Sequence, residues 1–262
     1  MNDLVQEALA APQPPPSPLS VALDEAAALI AAARGRSEPV TDLRQRLQDR
    51  LTTTLTQTWP GLPVLVSIHR HHTPASVPHD CILLTLLDHA GLGPDGPPLD
   101  GSTSPAITAC RIQAGFPVHA VIRLPAYRLH LEADRGTLTV TGDADRLPLF
   151  TPDTVLVSPH HAAQVRRLLP GRPIAAVPAA IAMTLIALDR ATSALHPPAA
   201  EDRAIPWDYT AGALVLHCKA GKVLSPDGHD LAHSRLQTHS GWLASSHVPA
   251  EDDLIQLMHP QP

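Results

Sequence analysis

Residues 205–216 read Ile-Pro-Trp-Asp-Tyr-Thr-Ala-Gly-Ala-Leu-Val-Leu, and this stretch decides the fold. Ala211, Leu214 and Val215 recur at helical spacing, so the stretch is predicted to form a helix with one buried face. Asp208 would lie near the N-terminus of that helix, where a carboxylate is favoured and a bound cation or phosphate can be organised. The stretch therefore predicts a helix that carries a polar site residue at its start.

Short strands and helices alternate around this helix in the second half of the chain. Thr154–Ser158 and Ile174–Val177 have the composition of buried strands. Each is followed by an apolar helical pattern, at Ala162–Leu169 and Ala179–Leu188. Gly221 then predicts a helix end and a return to extended chain. Strands that alternate with helices are typical of a layered α/β arrangement.

The first half is predicted to contain two helices followed by strands. The helices are Ser20–Arg34 and Leu43–Trp59, and a short buried strand, Leu62–Val66, comes next. Cys81–Leu87 is a continuous apolar run of the kind found in strands buried on both faces. Tight turns separate four further strands, which predicts an antiparallel meander. These strands are Ile107–Gln113, Val118–Leu124, Tyr127–Ala133 and Thr137–Thr141.

Composition excludes several classes of protein. The chain has 262 residues and a formal net charge of −6, which argues against nucleic acid or an anionic membrane as the main partner. Its apolar runs are too short or too broken to span a bilayer, and no secretory signal is evident. The 3 cysteines are odd in number and widely spaced, which indicates a reducing compartment and no zinc site. We therefore expect a cytoplasmic protein.

The same patterns suggest a division of the chain into four parts. Residues 1–19 form a proline-rich, flexible tail. Residues 20–148 make an N-terminal α+β half with two helices and the meander, and residues 149–248 make a C-terminal α/β half. Residues 249–262 are predicted to be a C-terminal tail.

Two further features carry candidate ligands. Asp88 directly follows the apolar strand, and a carboxylate at the end of a central strand is a common site position in layered α/β folds. It can equally be a loop cap. His69, His71 and His72 lie close together, but the prolines after them indicate irregular chain, so a solvated loop is favoured over a metal site.

Several short motifs resemble those of the inositol monophosphatase superfamily, closest to its 3′(2′),5′-bisphosphate nucleotidase branch of the sulfate-assimilation type. Residues 207–212 are similar to the family's Trp-Asp-x-Ala-Ala-Gly, and residues 240–245 to its closing Asn-x-Gly-hydrophobic-x-Ala strand. Residues 39–41 resemble an early Pro-Val-Thr, and residues 62–65 the strand before its paired glutamates. Each motif is short, so the resemblance rests on the order in which the motifs occur over about residues 20 to 246.

The resemblance implies both a fold and a chemistry. The fold is an α/β (α+β layered) sandwich with alternating α-β-α-β-α layers, and the family's members are Mg²⁺-dependent phosphatases. Their metals are held by a glutamate of a Glu-Glu pair, two aspartates of Asp-Pro-[Ile/Leu]-Asp-Gly-Thr and the aspartate after Trp. Asp208 matches the last of these ligands. Asp88 matches the second aspartate of the central motif by its spacing from the strand, and Asp100 is the alternative match.

This sequence departs from the family pattern at several ligand positions. The glutamate pair falls on Ser67-Ile68 or Ile68-His69, the aspartate of an early Thr-x-x-Asp falls on Arg44, and the first aspartate of the central motif is missing. Two carboxylates can hold one hydrated Mg²⁺ weakly but not the multi-metal arrangement that activates water. Arg44 could bind phosphate but could not generate hydroxide. Ser158 and His160 resemble in position a family segment near the nucleotide, although a loop without a ligand is an equal alternative.

Three functional hypotheses follow. The first is a family member that has lost or strongly reduced its phosphatase activity and binds a phosphorylated small molecule or none. The second is an active Mg²⁺-dependent phosphomonoesterase that acts on a 3′-phosphoadenosine nucleotide or an inositol phosphate. Its catalytic residues would be Asp88 and Asp208, and the missing metal ligands would be replaced by Asp80, Asp95 or the histidines at 69–72. In the third, Asp88 and Asp208 are ordinary caps. Because members of the family are often dimers, a homodimer is one expected assembly.

Overall fold

A computed structural model describes residues 16–34, 40–67, 78–87, 106–198, 206–232, 240–246 and 252–258. Six α-helices lie within these ranges: α1 (Pro18–Arg34), α2 (Val40–Thr58), α3 (Ala162–Leu168), α4 (Ala179–Ala187), α5 (Pro206–His217) and α6 (Asp252–Met258). The described strands of the first half are β1 (Val64–Ser67), β2 (Cys81–Leu87), β3 (Ala106–Gln113), β4 (Phe116–Leu124), β5 (Leu129–Asp134) and β6 (Thr137–Thr141). Those of the second half are β7 (Val155–Val157), β8 (Ile174–Ala176), β9 (Ser193–His196), β10 (Lys222–Leu224) and β11 (Trp242–Ser245).

The first sheet contains six strands in the order β1-β2-β3-β4-β5-β6. β1 and β2 are parallel, and the other neighbours pair antiparallel, as the predicted meander requires. At one edge of this sheet Leu87 ends β2 opposite Ala106, and at the other edge Cys81 begins β2 near Ile112. We refer to them as the edge where β2 begins and the edge where β2 ends.

The second sheet contains five strands in the order β10-β11-β9-β7-β8. β7 lies between β8 and β9 and is parallel to both, so the carboxyl ends of these three strands share one edge. β11 runs antiparallel to β9 and pairs Trp242 with His196, which brings the start of β11 to the same edge. The predicted alternation of strands and helices is therefore confirmed for this half.

Three apolar clusters stack the elements into five layers. One cluster packs α1 and α2 on one face of the first sheet, and its fully buried members include Leu23, Leu51 and Ile82. The central cluster packs α4 and α5 between the two sheets. The third packs α3 and α6 on the outer face of the second sheet, with Val165 and Leu254 buried. The order of layers is α-β-α-β-α, which confirms the fold class expected from the sequence.

The last helix is an element that the sequence analysis did not include. Residues 249–262 had been assigned to a C-terminal tail, yet Asp252–Met258 is helical. Leu254 is fully buried and Met258 is 3% exposed, both against the second sheet. With seven residues, the helix is too short to show a clear apolar period in the sequence, and tertiary packing stabilises it. Among the described residues, no helix is long and apolar enough to cross a membrane.

The end of α5 differs in detail from the prediction. Gly221 was expected to end the helix, but the left-handed residue is Ala220, with φ of +59°. The N–H of Gly221 donates to the carbonyl of Leu216, and that of Ala220 donates to the carbonyl of His217, so the last turn is closed. Gly221 is needed for space instead, because a Cβ there would lie 2.9 Å from the backbone carbonyl oxygen of Ser245.

Replacing Ala220 with glycine is expected to stabilise the protein. The side chain is exposed, so little contact is lost, and glycine removes the steric cost of a left-handed alanine. Because glycine also loses more backbone entropy on folding, the net gain should be about 0.5–1 kcal/mol. Urea denaturation measures it, and a lower midpoint for Ala220→Gly than for the parent protein would contradict the assignment.

A polar network attaches α1 to the first sheet. Glu132 Oε1 lies 2.8 Å from His119 Nε2, and Glu132 Oε2 accepts a hydrogen bond from Ser20 Oγ at 2.5 Å. Burial raises the pKa of the Glu132 carboxyl, but hydrogen bonds from Ser17, Ser20 and His119 outweigh it, so the pKa lies below its ordinary value. Ionised Glu132 therefore stabilises the contact between helix and sheet.

The contribution of Glu132 to stability should depend on pH. A carboxyl whose folded-state pKa is lowered stabilises the protein above its unfolded pKa, about 4.3, and loses this contribution as the pH falls through the folded-state value. The stability difference between the parent and Glu132→Gln is thus expected to be larger at pH 7 than at pH 3.5. Urea denaturation at both values measures it, and an equal difference at the two would refute the role assigned to the carboxylate.

Candidate functional site

The direction of α5 determines where Asp208 lies. At the C-terminal end of α5, burial and the charge of Asp134 raise the pKa of the Cys218 thiol, and a hydrogen bond from the Gly136 backbone opposes them. Cys218 is thus next to the β5–β6 turn, at the edge where β2 begins. The helix has 12 residues and is about 18 Å long, comparable to the length of β2. Its N-terminus, with Asp208, therefore lies at the opposite edge, where β2 ends.

The carboxyl ends of β1 and β2 lie at this same edge of the first sheet. β1 ends at Ser67 and β2 at Leu87, and the two strands are parallel with Ser67 opposite Thr85. α2 is joined to β1 through the turn at Trp59 and packs beside it, so the two run in opposite directions. The first turns of α2, which contain Arg44, are therefore at this edge as well. The side chain of Arg44 lies outside what the structure describes.

The second sheet contributes its own carboxyl edge. The residues after α5 lead directly into Lys222, which pairs with Ser245, and Ser245 pairs with Ser193. This places the amino ends of the parallel strands at the far edge, near the end of α5. The carboxyl ends, including Val157 and His196, consequently lie at the edge of Asp208. We call the region where the two carboxyl edges meet the α5 N-terminus the candidate site.

Asp208 occupies the first turn of α5 and is half-buried. Next to it, Tyr209 is 1% exposed, and burial and then the charge of Asp208 raise the pKa of its phenol, which stays protonated. Thr210 Oγ1 donates to the carbonyl of Pro206 at 2.5 Å. The two residues that follow Asp208 are thus fixed by burial and a local hydrogen bond.

Close packing holds the start of α4 against the middle of α5. A Cβ at Gly212 would lie 2.8 Å from Ala180 Cα and 3.0 Å from the Ala180 carbonyl oxygen. Only glycine permits this approach. α4 is buried along its whole length and begins after Pro178 without a side-chain cap. Among the described residues, no side chain caps its first N–H groups, which follow the carboxyl end of β8.

A cluster of three rings at the edge of the second sheet was missed by the sequence analysis. The His161 and His196 rings are 4.4 Å apart between centroids and edge-on, and His196 lies 5.9 Å from Trp242. All three side chains are buried, at 4%, 6% and 1% exposure. They are 35 to 81 residues apart, so spacing gives no signal; the only hint was that His161 follows the predicted candidates Ser158 and His160.

The two candidates in that loop differ in exposure. Ser158 is buried at the end of β7, and its carbonyl accepts a hydrogen bond from the His161 N–H at 2.9 Å. His160 is exposed. Both stand at the edge where Asp208 lies, and Ser158 is the more closely held of the two.

Several predicted ligands cannot be placed. Asp88, Asp100, Asp95 and the histidines at 69–72 lie outside the described residues, so the order of preference between Asp88 and Asp100 stays a prediction. Asp80 is described, and the suggestion that it rebuilds the site is wrong. It precedes β2 at the far edge, where its Oδ1 accepts a hydrogen bond from the Ala114 N–H at 3.0 Å. Among the described residues, no group of three or more His, Cys, Asp or Glu could hold a metal ion.

Comparison with solved structures identifies the architecture. An inositol monophosphatase II from Staphylococcus aureus superposes with a TM-score of 0.66 at 14% identity, covering 91% of this chain and 93% of that one. An inositol monophosphatase from Thermotoga maritima gives 0.61 at 13% identity, covering 89% and 92%. The fold is that of the inositol monophosphatases. The extragenic suppressor protein SuhB from Bartonella henselae gives 0.56 at 15% identity, covering 84% and 89%.

The sequence itself gives no comparable match. No family model matches it, and no curated protein matches it significantly. At 13–15% identity the structural likeness establishes the fold and not the activity. The closer resemblance to the bisphosphate nucleotidase branch stays a prediction from the motifs.

Proposed function

We propose that this protein binds a phosphorylated small molecule at the candidate site and has lost, or retains at a strongly reduced level, Mg²⁺-dependent phosphatase activity. The observation that carries the proposal is the composition of this edge. Asp208 stands on α5, but β1 reaches the edge at Ser67, where the resemblance expects the chain to lead into paired glutamates. The fold supports the location of the site, and the missing carboxylates support the loss of chemistry.

The residues present do not fit a multi-metal centre. Of the predicted carboxylate ligands, Asp208 is the one that lies among the described residues at this edge, and Asp88 or Asp100 would have to supply a second. Mg²⁺ prefers six oxygen ligands, and hydrolysis of a phosphomonoester requires both an activated water and stabilisation of the leaving oxygen. Two carboxylates would at best hold one hydrated ion, so we derive no catalytic step through a metal.

Binding a phosphate requires fewer groups than hydrolysing a phosphomonoester does. The uncapped N-terminus of α4 offers backbone N–H groups, and helix N-termini attract anions. Ser158 adds a hydroxyl and Arg44 adds a positive charge on α2. A guanidinium in place of a metal ligand favours a bound phosphate but lacks the means to deprotonate water. The combination supports recognition without turnover.

Calorimetric titration tests the binding part of the proposal. Structures of the staphylococcal IMPase-II contain inositol monophosphate and 2′AMP, so these compounds, together with adenosine 3′,5′-bisphosphate, are suitable probes. At least one should bind without Mg²⁺, and Arg44→Gln should weaken it about tenfold because it removes a charged hydrogen bond. Arg167→Gln, on the exposed face of α3, is the matched control. Failure of all three probes to bind, with or without Mg²⁺, would refute phosphate recognition.

A further inference from the structure

A groove of about 720 Å³ separates α1 from α2 on the outer surface of the first half. The α1 wall of this groove is apolar, with Ala28 exposed and Leu29 half-buried. Val21, two turns earlier on the same face, is 42% exposed. The opposite face of α1 is already buried on the first sheet through residues such as Leu23. Apolar side chains on two faces are typical of a helix that packs against two neighbours.

The α2 wall of the groove carries two arginines at a spacing of one helical turn. Arg46 and Arg50 both line the groove and both are exposed. Arg50 Nε donates to Glu25 Oε2 at 3.0 Å, and a guanidinium has further N–H donors for a second acceptor. Asp49 lies in the same wall, where its Oδ1 accepts a hydrogen bond from Gln45 Nε2 at 2.9 Å. The groove thus has an apolar wall on one side and, on the other, two arginines whose Cα atoms are about 6 Å apart along the helix axis.

A segment that precedes α1, outside the described residues, is complementary to this groove. Residues 3–10 read Asp-Leu-Val-Gln-Glu-Ala-Leu-Ala, and most of these are strong helix formers. At helical spacing four apolar side chains share one face: Leu4, Val5, Ala8 and Leu9. Asp3 and Glu7 lie one turn apart at the border of that face. The residue before Pro12 is disfavoured in a helix, so the predicted helix ends by Ala10. An amphipathic helix this short is stable only when its apolar face is buried.

The connection between this segment and α1 is long enough to place the segment in the groove. Residues 11–17 are rich in proline and span about 20 Å when extended, whereas packed helices lie about 8–10 Å apart. The segment can therefore turn back and run antiparallel to α1. Residues 35–39 join α1 to α2 as a helical hairpin, so these two helices are also antiparallel. A segment that runs antiparallel to α1 consequently runs parallel to α2.

We propose that residues 3–10 dock as a helix in the groove between α1 and α2 of the same chain. The apolar face of the segment packs on the α1 wall. Because the two acids and the two arginines have the same one-turn spacing and the same direction, both ion pairs form in one register. Asp3 stands beside Arg46, and Glu7 stands beside Arg50. The charges are exposed and select the register, while burial of the apolar face supplies most of the stabilisation.

Hydrogen exchange of the full chain, followed by mass spectrometry, tests the docking. The amides of residues 5–10 should exchange at least about tenfold more slowly than those of an unstructured peptide of the same sequence. Val21→Asp places a charge on the α1 wall and should abolish this protection. Leu149→Asp, at a site outside the groove that is 71% exposed, is the matched control and should leave the protection unchanged.

Two outcomes of this experiment would overturn the proposal. One is exchange of residues 5–10 in the parent protein at the rate of the unstructured peptide. The other is protection that survives Val21→Asp in a variant that circular dichroism shows to be folded.

A disulfide distinguishes docking within one chain from docking on a second copy. In the proposed register Leu4 lies over Ala28. The variant that combines Leu4→Cys with Ala28→Cys should therefore form an intramolecular disulfide under mild oxidation and stay monomeric on a non-reducing gel. Leu4→Cys combined with Leu149→Cys is the control and should form no disulfide. A disulfide-linked dimer, or no disulfide at all in the first variant, would refute docking within one chain.

Charge reversal tests the two ion pairs. Asp3→Lys and Glu7→Lys should each lower the protection of the segment about threefold, because an exposed ion pair contributes modestly. Gln6→Lys, on the side of the predicted helix turned away from the apolar face, should have no effect. Equal protection in all three variants would refute the register.

Discussion

Replacing Gly212 with alanine is expected to destabilise the protein by about 2 kcal/mol, although the residue lies in the interior of a helix. On helix propensity alone the change should stabilise it by about 1 kcal/mol. The new Cβ would, however, lie 2.8 Å from Ala180 Cα, and a backbone atom in a buried helix cannot move away easily. Overpacking of a core costs about 1–3 kcal/mol and here outweighs the gain in propensity. Urea denaturation with an unchanged m-value measures the difference.

A second substitution and a ligand measurement sharpen this prediction. Gly212→Val should cost more than Gly212→Ala, because its branched side chain needs still more room. The separation of α4 and α5 should also weaken binding of a phosphorylated probe, since both helix N-termini lie at the candidate site. An increase in stability for Gly212→Ala would show that the two helices are not in close contact.

Trp242→Ala is expected to have the largest effect on stability, about 3–5 kcal/mol. The indole is 1% exposed in the apolar cluster between the two sheets, and its removal leaves a cavity beside His196. The loss would also remove the ring that supports the His161–His196 pair at the candidate site. Thermal and urea denaturation measure the change, which should lower the melting temperature by several degrees.

The conservative variant Trp242→Phe distinguishes the contribution of ring packing to stability from that of the indole N–H. Within the described part of the chain, the indole Nε1 is buried without a hydrogen-bond partner. Phenylalanine loses some packed area but also removes an unsatisfied donor, so its cost should be about 1 kcal/mol. If Phe costs as much as Ala, the N–H is engaged and the assignment of Trp242 as a purely apolar support fails.

Much of the fold could be predicted because apolar period and turn residues are local signals. The strand at residues 81–87 was found from its continuous apolar run, the meander from its turn residues, and the helix at 206–217 from its apolar spacing. The C-terminal helix was missed because its stability comes from Leu254 and Met258 against a distant sheet. The left-handed Ala220 was missed because glycine, not alanine, is the usual signal at a helix end.

The site was less predictable than the fold because it depends on which edges of the two sheets meet the N-terminus of α5. Asp208 was found from its place before an apolar helix, and the structure confirms that it lies in the first turn of α5. Asp80 was proposed because it is near in sequence to the ligand positions, but a strand of seven residues places it at the other edge. The pair of His161 and His196 required the register of β7 with β9, which no local pattern encodes.

The most direct test of the central claim is an assay of phosphate release with a titration of Mg²⁺. The substrates are inositol monophosphate and adenosine 3′,5′-bisphosphate, and Asp208→Asn is compared with Asp189→Asn, an exposed residue in the turn after α4 at the far edge. We predict that turnover is absent or far below the rate of about 1–1,000 s⁻¹ that is usual for enzymes, at any Mg²⁺ concentration. Turnover in that usual range that requires Mg²⁺ and is abolished by Asp208→Asn but not by Asp189→Asn would contradict the account and establish an active phosphatase.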